Sequence, residues 1–327
     1  MTDPIPIVAD RAMVELYALV DQLAPTDLPV LVTGETGSGK ELVANALHTR
    51  SPRANLRLVA LNCAALHESL VESALFGHDK GAFSGAIATK QGLIEAASGS
   101  TLFLDEIGEL TLPHQAKLLR VLETGRVTRL GDVHEREVDV RIVAATNRDL
   151  EAEVAAGRFR RDLLFRLAAA TLILPPLRQR PVEVPVLATA FLDDACRSSA
   201  REVMRISEGA MEMLRGHAWP GNVRELKNLM RYLAATVTHR ELLAGHVREQ
   251  LVRSQPAITP AVEPSAMRFR PLAKEVRELE IARIKEALEA THGNITRAAQ
   301  LVAVPMRTFF EKVNRLGLHP KRRRDDG

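Results

Sequence analysis

Apolar residues recur at helical spacing through residues 11–24, where Met13, Leu16, Leu19, Val20 and Leu23 share one side, and that spacing predicts an amphipathic helix. Pro25 and Pro29 end the pattern, and Val30-Leu31-Val32 reads as a short buried strand. A Gly-rich turn and a helix from Glu41 follow. Three further apolar runs, 56–61, 100–104 and 138–144, read as strands separated by helical segments. Apolar strands alternating with helices imply a parallel sheet covered on both faces, hence an α/β fold. After Pro175-Pro176 the strand signals stop, and 181–250 read as several short helices broken near Pro220-Gly221. Prolines 256, 260, 264 and 271 mark a partly extended linker, and a last helical unit begins at Leu272. The expected division is 1–176, 177–250, 251–271 and 272–327.

Composition narrows the class. A chain of 327 residues exceeds a usual single domain, and 46% apolar with 26% charged residues is the balance of a soluble globular protein. No apolar run approaches the roughly 18 residues that span a bilayer, and residues 1–17 lack the pattern of a secretory signal. Cys63 and Cys196 have no metal-ligand spacing, and the ten histidines form no cluster. This fits a reducing cytoplasm and argues against a chelated metal. The net charge of +3 is uneven: residues 268–327 hold 14 Lys and Arg against eight Asp and Glu, leaving 30 against 33 in the rest. A basic end on a near-neutral body suits nucleic acid, with a solvated charged tail as the plain alternative.

Gly34-Glu35-Thr36-Gly37-Ser38-Gly39-Lys40 follows an apolar strand and precedes a helix, the context in which GxxxxGK binds phosphates. Its glycines let backbone N–H groups wrap an anion at the helix's positive end, and Lys40 adds a cation for the β- and γ-phosphates. Glu41 stands where a Ser or Thr normally reaches Mg2+, which leaves the direct metal ligand open. Some 60 residues on, four strand residues lead into Asp105 and Glu106. The first acid suits Mg2+, directly or through water, and the second suits polarising the attacking water. The alternative is a helix N-terminus decorated with acids.

Between these halves lies Gly81-Ala82-Phe83-Ser84-Gly85-Ala86, a permissive Gly/Ala segment carrying one aromatic residue, suited to gripping a partner. Near the C-terminus, a helix capped at Asn294, a turn at Ala303-Val304-Pro305 and a helix 306–316 make a DNA-reading arrangement, with a helical dimerisation hairpin as the alternative. Arg307, Thr308, Lys312 and Arg315 are the candidate DNA contacts, and Arg322, Arg323 and Arg324 suit phosphates.

The chain resembles the AAA+ ATPases and, within them, the bacterial enhancer-binding proteins that activate sigma-54 RNA polymerase. The matching segments run in family order across residues 5–250: GETGSGKE, LNCAAL (61–66), LFGHDKGAFSGA (75–86), TLFLDEIGEL (101–110), VDVRIVAATNRDL (138–150), FRRDLLFRL (159–167) and HAWPGNVRELKN (217–228). The resemblance implies an AAA+ P-loop domain, a helical lid and a C-terminal Fis-type helix-turn-helix. It implies ATP and Mg2+ as cofactors, and sigma-54 polymerase and upstream enhancer-like DNA as partners. A ring of subunits, typically six, is also implied, with further dimerisation through 272–290.

By the same resemblance, Asn62 holds or releases Glu106 with the γ-phosphate, Thr146 and Asn147 form the first sensor, and Arg224 is the second. Arg160 and Arg166 look like fingers reaching a neighbouring subunit's nucleotide. Arg161 is a competing neighbour, and surface ion pairs are the plain alternative. The hexapeptide matches the family's GAFTGA, with Ser84 in the threonine position, and residues 125–137 look like a second pore loop or an ordinary turn. Because the ATPase pattern starts near residue 5, the resemblance runs to single-component members, such as the phage-shock operon and type III secretion activators, with control by a separate protein. A DNA-binding AAA+ regulator that does not engage sigma-54 is the rival reading.

Overall fold

The computed structural model describes residues 8–65, 68–83, 85–254 and 272–318, in two units that divide between Pro256 and Ala257. In the first unit five parallel strands, β1 (Val30–Thr33), β2 (Val59–Asn62), β3 (Thr101–Asp105), β4 (Arg141–Thr146) and β5 (Ala170–Ile173), lie in the order β2-β3-β4-β1-β5. Val30 pairs with Val143 on one side and Ala170 on the other, and Phe103 also pairs with Val143. The central strands are buried on both faces, which is why they read as unbroken apolar runs. Residues Val32, Leu47, Phe103 and Val143 pack on one face, and Leu75, Leu104, Leu118 and Ile142 on the other.

Several strand expectations move. The run at 56–61 becomes strand only from Val59, because the Leu56 carbonyl turns to accept from the buried His48 ring at 2.9 Å. The run at 138–144 starts its strand at Arg141 and extends to Thr146, since Val138 N–H donates to Gly125 and the Asp139 carbonyl accepts from Gly99. β5 lies outside the expected strands. As an edge strand between alanines and prolines, it exposes Thr171 and Ile173 and lacks a clean apolar signature.

The helix Arg11–Leu23 is capped by Asp10 and buries Met13, Leu16, Tyr17 and Val20, while Leu19 faces solvent. Its last carbonyls, Leu23 and Ala24, accept from the buried Arg141 guanidinium at 2.8 and 2.6 Å. That answers the unpaired carbonyls of a helix end with a cation.

Helices Glu183–Ser198, Glu208–Gly216, Asn222–Thr236 and Ala244–Ser254 close around Trp219, Leu192, Leu226 and Met230. Strand pairing does not stop at Pro176, because Arg205–Ile206 pairs in parallel with Glu241–Leu242. The expected linker from 251 also starts later: the helix runs to Ser254, with Leu251 packed one turn from Val247 in the core. Residues 255–271 lie outside the described residues.

In the second unit, helices Leu272–Ala290, Ile295–Leu301 and Met306–Leu316 enclose Ile284, Leu288, Ala298, Phe309 and Val313. Asn294 caps the second helix by accepting from Arg297 N–H at 3.1 Å. The turn residue Ala303 has φ +54°, a left-handed conformation that a Cβ disfavours. Ala303→Gly is expected to stabilise this unit by about 0.5–1 kcal/mol, the strain removed exceeding the backbone entropy lost. Slower amide exchange at Phe309 and Val313 in the full chain is the readout, and unchanged or faster exchange would contradict it.

Candidate nucleotide site, partner loop and DNA-reading unit

The chemical residues gather at the carboxyl ends of the parallel strands, where open α/β sheets place their ligands. β1 leads into the Gly34–Lys40 loop and the helix Lys40–Thr49, β2 ends on Asn62, β3 on Asp105, and β4 on Thr146. Gly37 and Gly39 have φ of +76° and +110°. A Cβ on Gly37 would stand 2.5 Å from the Gly221 carbonyl, whereas one on Gly39 would project into open space. The N–H groups of Gly39, Lys40 and Glu41 have no acceptor among the described residues. This backbone concavity at a helix N-terminus fits a phosphate chain. The Lys40 side chain is buried; its ammonium donates to the Gly34 and Glu35 carbonyls at 3.0 and 3.4 Å and lies 3.7 Å from Glu106.

Glu106 adopts a left-handed conformation, φ +53°, at the head of a single 3-10 turn rather than a continuing helix. Such strain in a non-glycine residue is common where a side chain must be aimed. One Glu106 oxygen faces Lys40, and the other accepts from Asn147 N–H at 3.2 Å. Asn62 does not meet Glu106: its amide donates to Asp105 at 3.0 Å, and its oxygen accepts from Ala64 N–H. Burial first and then the adjacent Glu106 charge push the Asp105 carboxyl above its usual range. A cation there would relieve both effects, so Asp105 fits a Mg2+ role. Glu41 is solvent-exposed in the first helical turn.

Thr36 accepts from Asn147 Nδ2 at 2.8 Å. The Glu35 carboxylate turns away from the concavity, gripped by Arg178 at 2.6 and 2.8 Å and by Asn222 Nδ2 at 3.1 Å. Ser38 is buried, and its carbonyl accepts from Arg180 at 2.6 Å. Beside Ser38 and Gly39 a cavity of about 250 Å3 opens, its walls mostly apolar (Met13, Tyr17, Leu42, Leu187, Phe191 and Val223) with Arg180, Glu183, Asp194 and Lys227 among them, a mix that suits a planar base with polar edges. Arg224 is exposed on the first turn of the Asn222–Thr236 helix, its Cβ close to Gly37.

The expected fingers hydrogen-bond to none of these site residues. Arg160 makes a two-pronged ion pair with Asp162 at 2.7 and 3.0 Å, and Arg166 donates to the Leu122 carbonyl at 2.9 Å. Both they and Arg161 are exposed.

The partner loop is more ordered at its base than a bare tip. Gly81 N–H donates to Ala86, closing the neck, and Phe83 rests edge-on against His78 with ring centroids 5.0 Å apart. His78 is anchored by buried Ser73 at 2.8 Å. Gly81 and Gly85 both hold left-handed φ, Ala86 is buried, and Ser84 lies outside the described residues. Residues 125–137 form an antiparallel hairpin, Arg126–Thr128 with Glu135–Glu137, rather than a plain turn. Gly131 in that hairpin packs against Ala82, where any Cβ would sit 2.8 Å from the alanine's own.

On the Met306–Leu316 helix, Phe309 and Val313 face inward and Arg307, Thr308 and Arg315 face solvent. Arg307 makes only a loose, exposed approach to Glu311 at 3.5 Å. Lys312 sits on the flank in a 2.6 Å ion pair with Glu280, so it is less available to bases than its spacing implies. Residues 322–324 lie outside the described residues.

The family model described as the sigma-54 interaction domain matches residues 7–173. The chain belongs to the sigma-54 activator family. An AAA+ ATPase lid model matches 178–263, and a bacterial regulatory protein model of the Fis family matches 275–316. The chain is 43% identical to the transcriptional regulator NtrC of Azospirillum brasilense, over 94% of this chain and 68% of that one. It is 44% identical to the anaerobic nitric oxide reductase regulator NorR of Salmonella paratyphi C, over 94% and 62%. Crystal structures of NtrX from Brucella abortus with ADP and with ATP align with TM-scores of 0.71 and 0.68, at 30% and 29% identity, each over 96% of this chain and 70% of that one. The architecture is therefore an AAA+ P-loop domain with a parallel sheet, a helical lid and a Fis-type helix-turn-helix. Among the described residues no helix is long and apolar enough to cross a membrane.

Sequence reading misses the residues by which the lid of this family member grips the phosphate loop. Arg178 and Asn222 lie 143 and 187 positions from Glu35. Buried Arg180 pairs with fully buried Glu183, which accepts in turn from the Ala9 and Asp10 N–H groups. The one available signal was a charged Arg-Gln-Arg run just after the prolines, which spacing alone assigns to no partner. Arg178 and then Asn222 lower the Glu35 carboxyl from 4.5 to about 2. Because the folded value is depressed, this attachment is complete above pH 4.5 and is lost only as pH falls through about 2. A carboxyl NMR titration should place Glu35 near 2 and return it toward 4.5 in Arg178→Ala; a wild-type midpoint near 4.5 would contradict the pairing.

Proposed function

We propose that this protein is an ATP-driven transcriptional activator that remodels a closed sigma-54 polymerase–promoter complex into an open one. The observation that carries the reading is the Glu106 carboxylate, held between Lys40 and the Asn147 N–H at the mouth of a phosphate concavity. ATP with Mg2+ supplies the transferable γ-phosphoryl group and the driving force when bound. The N–H groups of the loop and Lys40 would cradle the phosphates, and Asp105 would hold the metal. Glu106 orients and polarises the attacking water, with Asn147 fixing its carboxylate and Asn62 fixing Asp105. Arg224 closes over the phosphates from the lid.

Arg160 and Arg166 act on a neighbouring subunit's nucleotide in a ring, where a guanidinium beside developing phosphoryl charge lowers the barrier. Their exposure supports this, and Arg160 exchanges Asp162 for phosphate on assembly. An engine to 176, a lid that runs to Ser254 and a linker ending at 271 precede the DNA-reading unit 272–327. Arg307, Thr308 and Arg315 read upstream DNA, Lys312 contributes from the flank, and the 272–290 helix pairs two such units. Hydrolysis moves the loop carrying Gly81, Ala82, Phe83, Ser84, Gly85 and Ala86, with Phe83 the residue that grips sigma-54, inside the cytoplasm.

Glu106→Gln is expected to reduce ATP turnover by about 100-fold or more while preserving nucleotide affinity, because the water loses its polarising carboxylate. Normal turnover in a malachite-green assay would remove Glu106 from the base role. Phe83→Ala should keep ATPase activity yet fail to form a complex with sigma-54 in the presence of ADP–aluminium fluoride on native gels. Undiminished capture by that variant would contradict the gripping role.

A further inference from the structure

Thr36 stands where three elements meet. Its hydroxyl accepts from Asn147 Nδ2 at 2.8 Å, and its carbonyl accepts from Asn222 Nδ2 at 3.1 Å. On one side, Asn147 N–H donates to Glu106. On the other, fully buried Asn222 opens the lid helix Asn222–Thr236, accepts from Leu177 N–H at 2.7 Å and also donates to Glu35. An unbroken hydrogen-bonded chain thus runs from the Glu106 carboxylate through Asn147, Thr36 and Asn222 into the lid.

We infer that Thr36 and Asn222 are positioning residues that convey to the lid whether a terminal phosphate engages Asn147 and Glu106. The inference rests on the ATPase reading and concerns how that site controls its lid. The Asn147 amide group that now binds Thr36 stands one residue beyond β4, beside the phosphate loop, while its own N–H holds Glu106. An amide drawn to a phosphate oxygen slackens its hold on the Thr36 hydroxyl, and the strain passes along the Thr36 peptide to Asn222.

Relative magnitudes favour Asn222 as the lid-side link. The Glu35–Arg178 pair is well formed but solvent-exposed, and such pairs contribute little. Asn222 is buried with three hydrogen bonds to its side chain, and leaving a buried amide's partners unpaired is the costly event. Its φ of +53° is one that asparagine and glycine tolerate, so Asn222→Gly removes the side chain without straining the backbone.

The protein carries its own reporter. Trp219 is the single tryptophan of the chain, is fully buried in the lid three residues before Asn222, and accepts the Asn222 N–H on its carbonyl at 2.8 Å. Its emission is compared in the full chain saturated with ADP or with a non-hydrolysable ATP analogue, alongside the affinity for each. Wild type and Thr36→Ser, which keeps the hydroxyl, should show different emission with the two nucleotides. Thr36→Val and Asn222→Gly, each saturated according to its own measured affinities, should lose that difference, with the ATP-to-ADP affinity ratio shifted about fivefold, the worth of one hydrogen bond.

Identical emission in wild type with both nucleotides would overturn the relay while leaving the nucleotide site intact. So would a wild-type difference retained in Thr36→Val, or failure of Thr36→Ser to restore it. Loss of both nucleotides alike in the Val and Gly variants would show a purely structural role and overturn it too. If wild type binds neither nucleotide, the ATPase reading falls and the relay with it.

Discussion

Everything in the first unit converges on the buried ammonium of Lys40. A cation removed from water needs oxygen partners, and here it has two loop carbonyls at close range and the Glu106 carboxylate slightly farther away. The loop must curl to present those carbonyls, which demands left-handed backbone at Gly37 and Gly39. The same curl leaves the N–H groups of Gly39, Lys40 and Glu41 without an acceptor among the described residues. A phosphate chain is the ligand that would satisfy the amides and compete with Glu106 for the ammonium. The Glu106 carboxylate is therefore held near the very cation that a nucleotide would claim.

The surrounding fold holds that arrangement from several sides. The parallel sheet brings Asn62, Asp105 and Asn147 to one edge, each at the end of a different strand. The lid reaches in through Arg178, Arg180 and Asn222, and the N-terminal segment through the backbone of Ala9 and Asp10 onto Glu183. Farther out, the Phe83 loop is braced at His78 and docks on the 126–137 hairpin through Ala82 and Gly131. A change at the carboxylate has contiguous polar routes into the lid, and the loop base offers a stiff element for it to move.

What could be read from the sequence was whatever depends on local spacing. The Gly34–Lys40 loop, the Asp105-Glu106 pair after an apolar strand, the Phe83 hexapeptide and the Asn294 cap all announce themselves within ten residues. What escaped depends on contacts between distant positions. Asn222 looks like one polar residue after a proline–glycine break, and only the fold brings it to Thr36. Lys312 has the spacing of a DNA contact, but Glu280 on another helix claims it. Asn62 has the resemblance of a partner for Glu106, yet its geometry ties it to Asp105. Strand β5 and the Arg205–Ile206 pairing were hidden because short edge segments need no continuous apolar run.

The central claim is that hydrolysis at Lys40 and Glu106 drives remodelling of sigma-54 polymerase. Open-complex formation on a sigma-54 promoter tests it most directly, followed by permanganate reactivity of unpaired thymines with purified protein, sigma-54 polymerase and either ATP or a non-hydrolysable analogue. The account predicts melted DNA with ATP and none with the analogue. Melting with both nucleotides, or with neither while the protein hydrolyses ATP, would contradict it.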